Sequence, residues 1–337
     1  MTVLVTGAAG FLGSHVTALL ITRGMRPRAL IHPSTGASSL TQADADIYTA
    51  DVCDRSAITP ALTGVDCVIH CAARTGTWGP KAEFQRANVH GLENLVNAAL
   101  AMGVRRIVHV SSITVHGIDV RGTADENAPL RDSPNPYSRS KVAAERLLRR
   151  MIMEDGAPVT IVRPGWIYGP GDGASFARVA RTIEKGRMLM VGSGQNHLPL
   201  IYVGDVAQGI VLASEAADAE GRSYLLVNDE PVTQRDFLAA IASELGVPAP
   251  ARRIPCKPAV MLGAAAETLG HLARRRQPPP LMRYGIRLLG GENRFDIGRA
   301  RLELGFQPTV DLADGVRRSV MWYRAVYGHA MEAEVRA

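Results

Sequence analysis

A phenol and an ammonium group one helical turn apart are the pair in this sequence best suited to moving a proton: Tyr137 and Lys141, within Tyr137-Ser138-Arg139-Ser140-Lys141. The i to i+4 spacing places both side chains on one face of a helix. A free tyrosine titrates near pKa ~10, too high for ready proton exchange at neutral pH. A cation beside it stabilises the phenolate and draws that value towards the working range. The pair therefore reads as a general acid and base. Ahead of it, the apolar run Arg106–Val110 ends in Ser111 and Ser112. A hydroxyl at that place can hold a substrate carbonyl or alkoxide in line with the phenol. Either serine alone would be an ordinary cap at a strand end.

A second constellation opens the chain: Thr6-Gly7-Ala8-Ala9-Gly10-Phe11-Leu12-Gly13. Gly7 suits a tight turn, Gly10 lets a pyrophosphate approach the backbone, and Gly13 lets helix and strand pack closely. The N–H groups at the helix start, with the positive end of its dipole, then hold the anion. Three glycines alone are a weak signal, but these lie between a strand and a helix in the first βα unit. The second strand ends Ala29-Leu30-Ile31-His32-Pro33-Ser34, without the carboxylate that bonds adenosine ribose hydroxyls in NAD-preferring folds. That absence tips the expected cofactor slightly towards NADP(H) over NAD(H), with His32, Ser34 and Thr35 as phosphate contacts. No arginine occupies the usual position, which keeps the tilt small.

These groups need a scaffold. Short apolar runs alternate with helical patterns through the first half, the signature of a parallel sheet covered on both faces. Strands are predicted at Val3–Thr6, Arg28–Ile31, Ile47–Ala50, Cys67–His70, Arg106–Val110 and Val159–Arg163. Helices are predicted near Gly10–Arg23, Lys81–Met102 and Tyr137–Met153, with a long functional loop over Ser111–Pro136. The fold class is α/β, a doubly wound parallel sheet with a smaller, mostly helical lobe. The expected division is residues 1–165, with 201–228 returning, for the dinucleotide, and 166–200 with 229–330 for substrate.

Composition narrows the partners. Apolar residues make up 46% of 337 and charged residues 21%, as in globular proteins. The net charge of +6 comes mainly from arginine, since Lys81, Lys141, Lys185 and Lys257 are the only lysines. No long basic stripe accompanies it, so nucleic acid is not an expected partner. Cys53, Cys67, Cys71 and Cys256 match neither a disulfide framework nor a zinc spacing, and no metal is expected. The chain shows no leader pattern and no run of bilayer-spanning length. A reduced, cytoplasmic protein is expected.

Taken in order, further segments join these motifs: Asp51-Val52, His70-Cys71-Ala72-Ala73, Asn88-Val89-His90-Gly91, Arg163-Pro164-Gly165-Trp166-Ile167-Tyr168-Gly169-Pro170 and Tyr202-Val203-Gly204-Asp205. Together they resemble the extended short-chain dehydrogenase/reductase family along nearly the whole chain. The resemblance implies a Rossmann-type fold, with Tyr137 as acid in reduction or base in oxidation, and Lys141 depressing its pKa and bonding the nicotinamide ribose. It implies that Ser112, not Ser111, is the catalytic serine, and that Asn88 supports the proton relay or the local backbone. Gly7, Ala9, Gly10, Phe11, Leu12, Gly13, His32, Ser34, Asp51, Val52, Cys71, Ala72, Ala73, Ser111, Pro164, Gly165, Trp166 and Ile167 would border the cofactor. Trp78, Ser112, Thr114 and Tyr168 would face the substrate. A homodimer is also implied.

Within the family, sugar-nucleotide epimerases often carry an arginine shortly before the late Val-x-Asp segment; here that position is Leu198. Dehydratases place acidic residues after the catalytic hydroxyl, where Ile113 and Thr114 stand. Ala73–Pro80 and Arg294-Phe295-Asp296-Ile297 are more similar to 3β-hydroxysteroid dehydrogenases and β-keto acid reductases. The expected reaction is ketone/alcohol interconversion on a hydrophobic, sterol-like or β-oxo acyl substrate. Sugar-nucleotide epimerisation is the alternative, and dinucleotide binding without chemistry a lesser one. Pro258–Leu272 reads as a helix with Leu262, Ala265, Leu269 and Leu272 on one face, followed by Arg274-Arg275-Arg276. That stripe is expected to face the core, a substrate lid or a seat on a membrane surface being the alternatives.

Overall fold

Strands buried on both faces need side chains that tolerate burial at every position, and Val3–Thr6 and Cys67–His70 are buried throughout. The computed structural model describes residues 1–35, 44–120, 122–275 and 277–335, so Arg276 lies outside the described residues. In chain order it begins with β1 (Val3–Thr6), α1 (Phe11–Thr22), β2 (Arg28–Ile31), β3 (Asp46–Thr49), α2 (Arg55–Leu62) and β4 (Cys67–His70). α3 (Lys81–Gln85), α4 (Gly91–Ala101), β5 (Arg106–Val110) and α5 (Pro136–Asp155) follow. Two more strands, Val159–Pro164 and Ser223–Leu226, complete a parallel seven-stranded sheet. From edge to edge its order is Ser223–Leu226, Val159–Pro164, β5, β4, β1, β2, β3. The order reverses beside β1, where doubly wound sheets open a crevice at their carboxyl ends.

Alternate side chains feed two cores. Leu4, Val68 and Ile107 pack with α2, α4 and α5, while Val3, Val5, Ile69 and Val108 pack with α1 and the helix Val203–Glu215. Each fully buried aliphatic side chain contributes about 1.5–3 kcal/mol. The predicted Lys81–Met102 helix is present with a flaw in it: Arg86–His90 forms a π-helical turn between α3 and α4. Such turns accompany functional sites, and this one carries Asn88. The predicted Ser111–Pro136 loop holds a 3-10 turn at Ile113–His116 and a two-residue strand at Thr123–Ala124, which pairs with Arg294–Phe295.

A third core gathers Tyr168, Phe176, Phe237, Val316 and Tyr323 among the helices Phe176–Glu184, Gln234–Leu245 and Leu312–Val335. Beyond it, the helix Cys256–Leu272 pairs with the helix Arg283–Gly290 through Gly263. A Cβ at Gly263 would lie 2.8 Å from Ile286 Cδ1. Glu267 clamps the pair, accepting from Arg283 N and Nε at 2.7 Å each. The inner face of Cys256–Leu272 is thus Ala259, Gly263, Glu267 and Gly270. This corrects the expectation for the leucine stripe: Leu262, Leu269 and Leu272 are 54%, 66% and 76% exposed. Small residues, not leucines, make the close contact. All four cysteines are free thiols, and no helix among the described residues is long and apolar enough to cross a membrane.

Candidate active site

The first turn of α5 begins where its residues dictate. Asn135 caps it by accepting from Ser138 N at 3.1 Å, and Pro136 stands at the first helical position, where its missing N–H costs nothing. Tyr137 and Lys141 therefore share one face, directed at the carboxyl end of β5. There Ser112 bonds the Tyr137 phenol. Lys141 is buried, and its ammonium donates to Val110 O at 2.7 Å while lying 5.9 Å from the centre of the Tyr137 ring.

The charge balance departs from the sequence expectation. Burial pushes the Tyr137 phenol up to about 12, opposed only by the Ser112 hydrogen bond. Burial also draws Lys141 down to about 8, against the pull of Cys71 and Glu145. With its ammonium spent on a strand carbonyl, Lys141 does not depress the phenol in this state. The resting phenol is a proton donor. Beneath Lys141, the His70 and His109 rings, on neighbouring β4 and β5, lie 5.3 Å apart and tilted by 31°. Burial, then the Lys141 charge, draws His70 down to about 3, and the same causes keep His109 well below its usual value. Both imidazoles are neutral, which leaves Lys141 as the cation under the phenol. The free enzyme's kcat/KM for reduction is therefore expected to fall as pH rises through about 8, where Lys141 loses its proton. A profile flat through that range would show that its charge is not used.

Asn88 supports the backbone. Its side chain accepts from Arg74 N at 2.7 Å and donates to Arg74 O at 3.0 Å and to Ser140 Oγ at 2.8 Å. One amide thus ties the loop after β4 to the turn bearing Tyr137. Ser112 Oγ accepts from the Thr114 hydroxyl at 3.1 Å and its N–H at 3.3 Å. Thr114, expected to face the substrate, orients the serine instead.

The glycine turn fits a dinucleotide. Gly7 sits at φ +67°, and a Cβ there would lie 2.8 Å from the Ala72 backbone. A Cβ at Gly13 would fall 2.1 Å from Gly7 O. No side chain caps the start of α1, which leaves its first N–H groups for an anion. Ala9, Phe11 and Leu12 follow the turn, and Cys71, Ala72 and Ala73 border it from β4. Phe11 lies under Gly171, and His15 Nε2 sits 2.8 Å from Pro170 O, which fixes the Pro164–Gly173 loop over the helix start. Gly165 is obligatory, since a Cβ there would meet Pro199 O at 2.2 Å. Ile167 lies on the Trp166–Tyr168 strand, half-buried against both neighbouring cores. At the β2 end, His32 Nδ1 meets Ser34 Oγ at 2.7 Å and His32 Nε2 lies 3.8 Å from Asp51. Burial pushes the Asp51 carboxyl up, but the Cys53 N–H and thiol, Arg86 and His32 outweigh it and hold it below the usual range. Val52 packs against Gly91.

Four more expected contacts are redirected. Tyr168 is buried in the third core against Phe176, Phe237 and Tyr202, because apolar helices surround its strand. Trp166 turns the same way, packing on Phe237 and donating to Ser175 Oγ at 3.1 Å. The Ser111 hydroxyl donates to Glu145 Oε1 at 2.5 Å, away from the cleft. Trp78 stacks on His271 at 4.1 Å and donates to Arg275 O at 2.9 Å, so it latches the helix Cys256–Leu272 to the loop after β4. Two residues were not anticipated. Arg86 reaches Asp51 at 2.8 Å from the π-helical turn, and Tyr284, half-buried, sits close enough to Tyr137 that, after desolvation, the neighbouring phenol raises its pKa further.

A doubly wound sheet with a glycine cradle and a Ser–Tyr–Lys cluster at its crevice defines a dinucleotide-dependent oxidoreductase of the short-chain type. Residues 3–226 match the family model described as NAD dependent epimerase/dehydratase family, and the chain belongs to that family. It is 32% identical over 331 residues to a 2-alkyl-3-oxoalkanoate reductase of Stenotrophomonas maltophilia, covering 94% of this chain and 98% of that protein. It is 29% identical to a 3 beta-hydroxysteroid dehydrogenase/Delta 5→4-isomerase of Mycobacterium tuberculosis, covering 99% and 93%. Among solved structures, the dTDP-glucose 4,6-dehydratase of Streptomyces venezuelae with NAD bound superposes with a TM-score of 0.78 at 25% identity, covering 98% of each chain. The chain is an NAD(P)-dependent oxidoreductase.

Proposed function

We propose that the protein reduces a ketone on a hydrophobic, β-oxo acyl or sterol-like skeleton to a secondary alcohol. The observation that carries this reading is Tyr137: a half-buried phenol, kept protonated and bonded to Ser112. When bound, the nicotinamide dinucleotide supplies the hydride. Ser112 holds the carbonyl oxygen, with its own proton oriented by Thr114, and Tyr137 delivers the proton to that oxygen. Lys141, held on Val110 O beneath the Tyr137 ring, supplies the site's positive charge, and Asn88 holds the helix turn in place. Leu198, where an epimerase would present an arginine, is buried in a strand paired with Val232, which disfavours gripping a diphosphate there. The reductase and the steroid dehydrogenase among its relatives support the same substrate class. Steady consumption of reduced cofactor with β-oxo esters or oxosteroids, followed by absorbance, tests the proposal. Failure with every such ketone would overturn it.

We further propose NADP(H) as the preferred cofactor. No acid ends β2, while His32, bonded to Ser34, and Arg86 both lie beside Asp51, whose charge Arg86 offsets. Arg86→Ala is expected to raise KM for NADPH about tenfold, the worth of one charge-assisted contact. KM for NADH should change far less, and equal effects on both would refute the preference. The two-lobe division (residues 1–165 with 201–228, against 166–200 with 229–330), the homodimer and a cytoplasmic setting stay part of this proposal, and light scattering reads the dimer directly.

A further inference from the structure

The outer face of the helix Cys256–Leu272 is the reverse of what water favours. Met261, Leu262, Leu269 and Leu272 are 72%, 54%, 66% and 76% exposed, and Pro258 and Ala265 complete the same stripe. Thr268 is the one polar side chain along it. An apolar stripe of this length on an exposed helix marks a surface that something covers. Charge says what. Arg252, Arg253 and Lys257 flank one end and Arg274 and Arg275 the other, all exposed. Between Gly246 and Gly291 the sequence holds one acidic residue, Glu267, and its carboxylate is turned inward on Arg283.

We propose that this helix seats the protein on an anionic lipid bilayer, lying in the plane of the interface with its leucines among the acyl chains and its basic ends among the headgroups. A second copy of the chain fits poorly. Antiparallel pairing of the stripe on itself would set the Arg252–Lys257 end against the Arg274–Arg275 end, and parallel pairing would set each against its like. Both arrangements oppose positive charge with positive charge, whereas acidic headgroups attract both ends. The helix is not long and apolar enough to cross the bilayer, so the attachment is peripheral. Its inner partner, the helix Arg283–Gly290, carries Tyr284 near Tyr137. Docking therefore places the cleft beside the phase into which apolar ketones partition. Only that last consequence rests on the proposed function.

The test uses the full chain and sedimentation with vesicles of phosphatidylcholine alone or with phosphatidylglycerol. Binding is expected with the acidic vesicles and little with the neutral ones. Leu269→Glu with Leu272→Glu should weaken it by about tenfold or more, and Arg274→Gln with Arg275→Gln should weaken it and flatten its salt dependence. Both variants alter solvent-facing groups, and circular dichroism checks that they stay folded. No binding to acidic vesicles, or binding indifferent to the leucine changes, would overturn the proposal. So would a dimer that the leucine changes split and that binds no vesicle. Because no turnover is read, failure here leaves the ketone-reductase reading untouched.

Discussion

Tyr137→Phe is expected to lower turnover by about 10²–10⁴-fold, the usual worth of a positioned general acid, while dinucleotide affinity changes by less than about twofold. The reasoning is local. The phenyl ring keeps the packing of the α5 turn and removes only the hydroxyl whose proton is held beside Ser112. The cradle at Gly7, Gly10 and Gly13 lies on another element and is untouched. Protein fluorescence titrated with cofactor would measure the affinity, and cofactor absorbance the rate. Because Ser112 would lose its phenol partner without losing Thr114, the hydroxyl should keep its place. The loss is therefore expected in kcat more than in KM. Retained turnover would remove Tyr137 from the chemistry.

The largest expected effect on stability lies behind the site. Arg163 stands next to last in the strand Val159–Pro164 with its whole side chain buried. It donates from Nε and from one terminal nitrogen to the Glu145 carboxylate at 2.9 and 2.7 Å, and from the other to Glu126 O at 2.9 Å. Glu145 accepts Ser111 as well. Removing one charge leaves the other buried and uncompensated, which costs about 3–5 kcal/mol. Arg163→Met is expected to lose that much in urea unfolding, and to slow turnover because Ser111 adjoins Ser112. Replacing Glu145 and Arg163 together by Met should recover most of the stability, since well-packed apolar groups often match a buried ion pair. A single variant as stable as the parent would show that the pair is not the anchor described.

The parallel sheet was legible because most of its strands are short, largely apolar and bounded by glycine or polar turns. Cys67–His70 is buried at every position, which leaves no alternation to misread. The Tyr–Lys spacing and the glycine turn were legible for a related reason: each function needs residues a fixed distance apart on one local element. What failed was long-range. The stripe of Leu262, Leu269 and Leu272 announces an apolar face, but periodicity does not say what that face meets. Ala259, Gly263 and Gly270 on the opposite side were the available clue, since small residues permit close helix packing. Tyr168 follows a loop that borders the crevice, yet its environment depends on Phe176, Phe237 and Gly315 from distant segments. Glu145 and Arg163 carried one weak hint, a charge on the buried face of a helix and another ending an apolar strand. Tyr284, nearly 150 residues from Tyr137, left no local signal at all.

Direct transfer to a ketone is the claim on which the rest depends, and isotope labelling reads it. A reduced nicotinamide cofactor deuterated at its transferable position would be incubated with the protein and a 2-alkyl-3-oxo ester, and the product analysed by mass spectrometry. One deuterium is expected on the carbinol carbon, with one cofactor oxidised per alcohol formed. Product carrying no deuterium, or turnover with no net oxidation of cofactor, would contradict it.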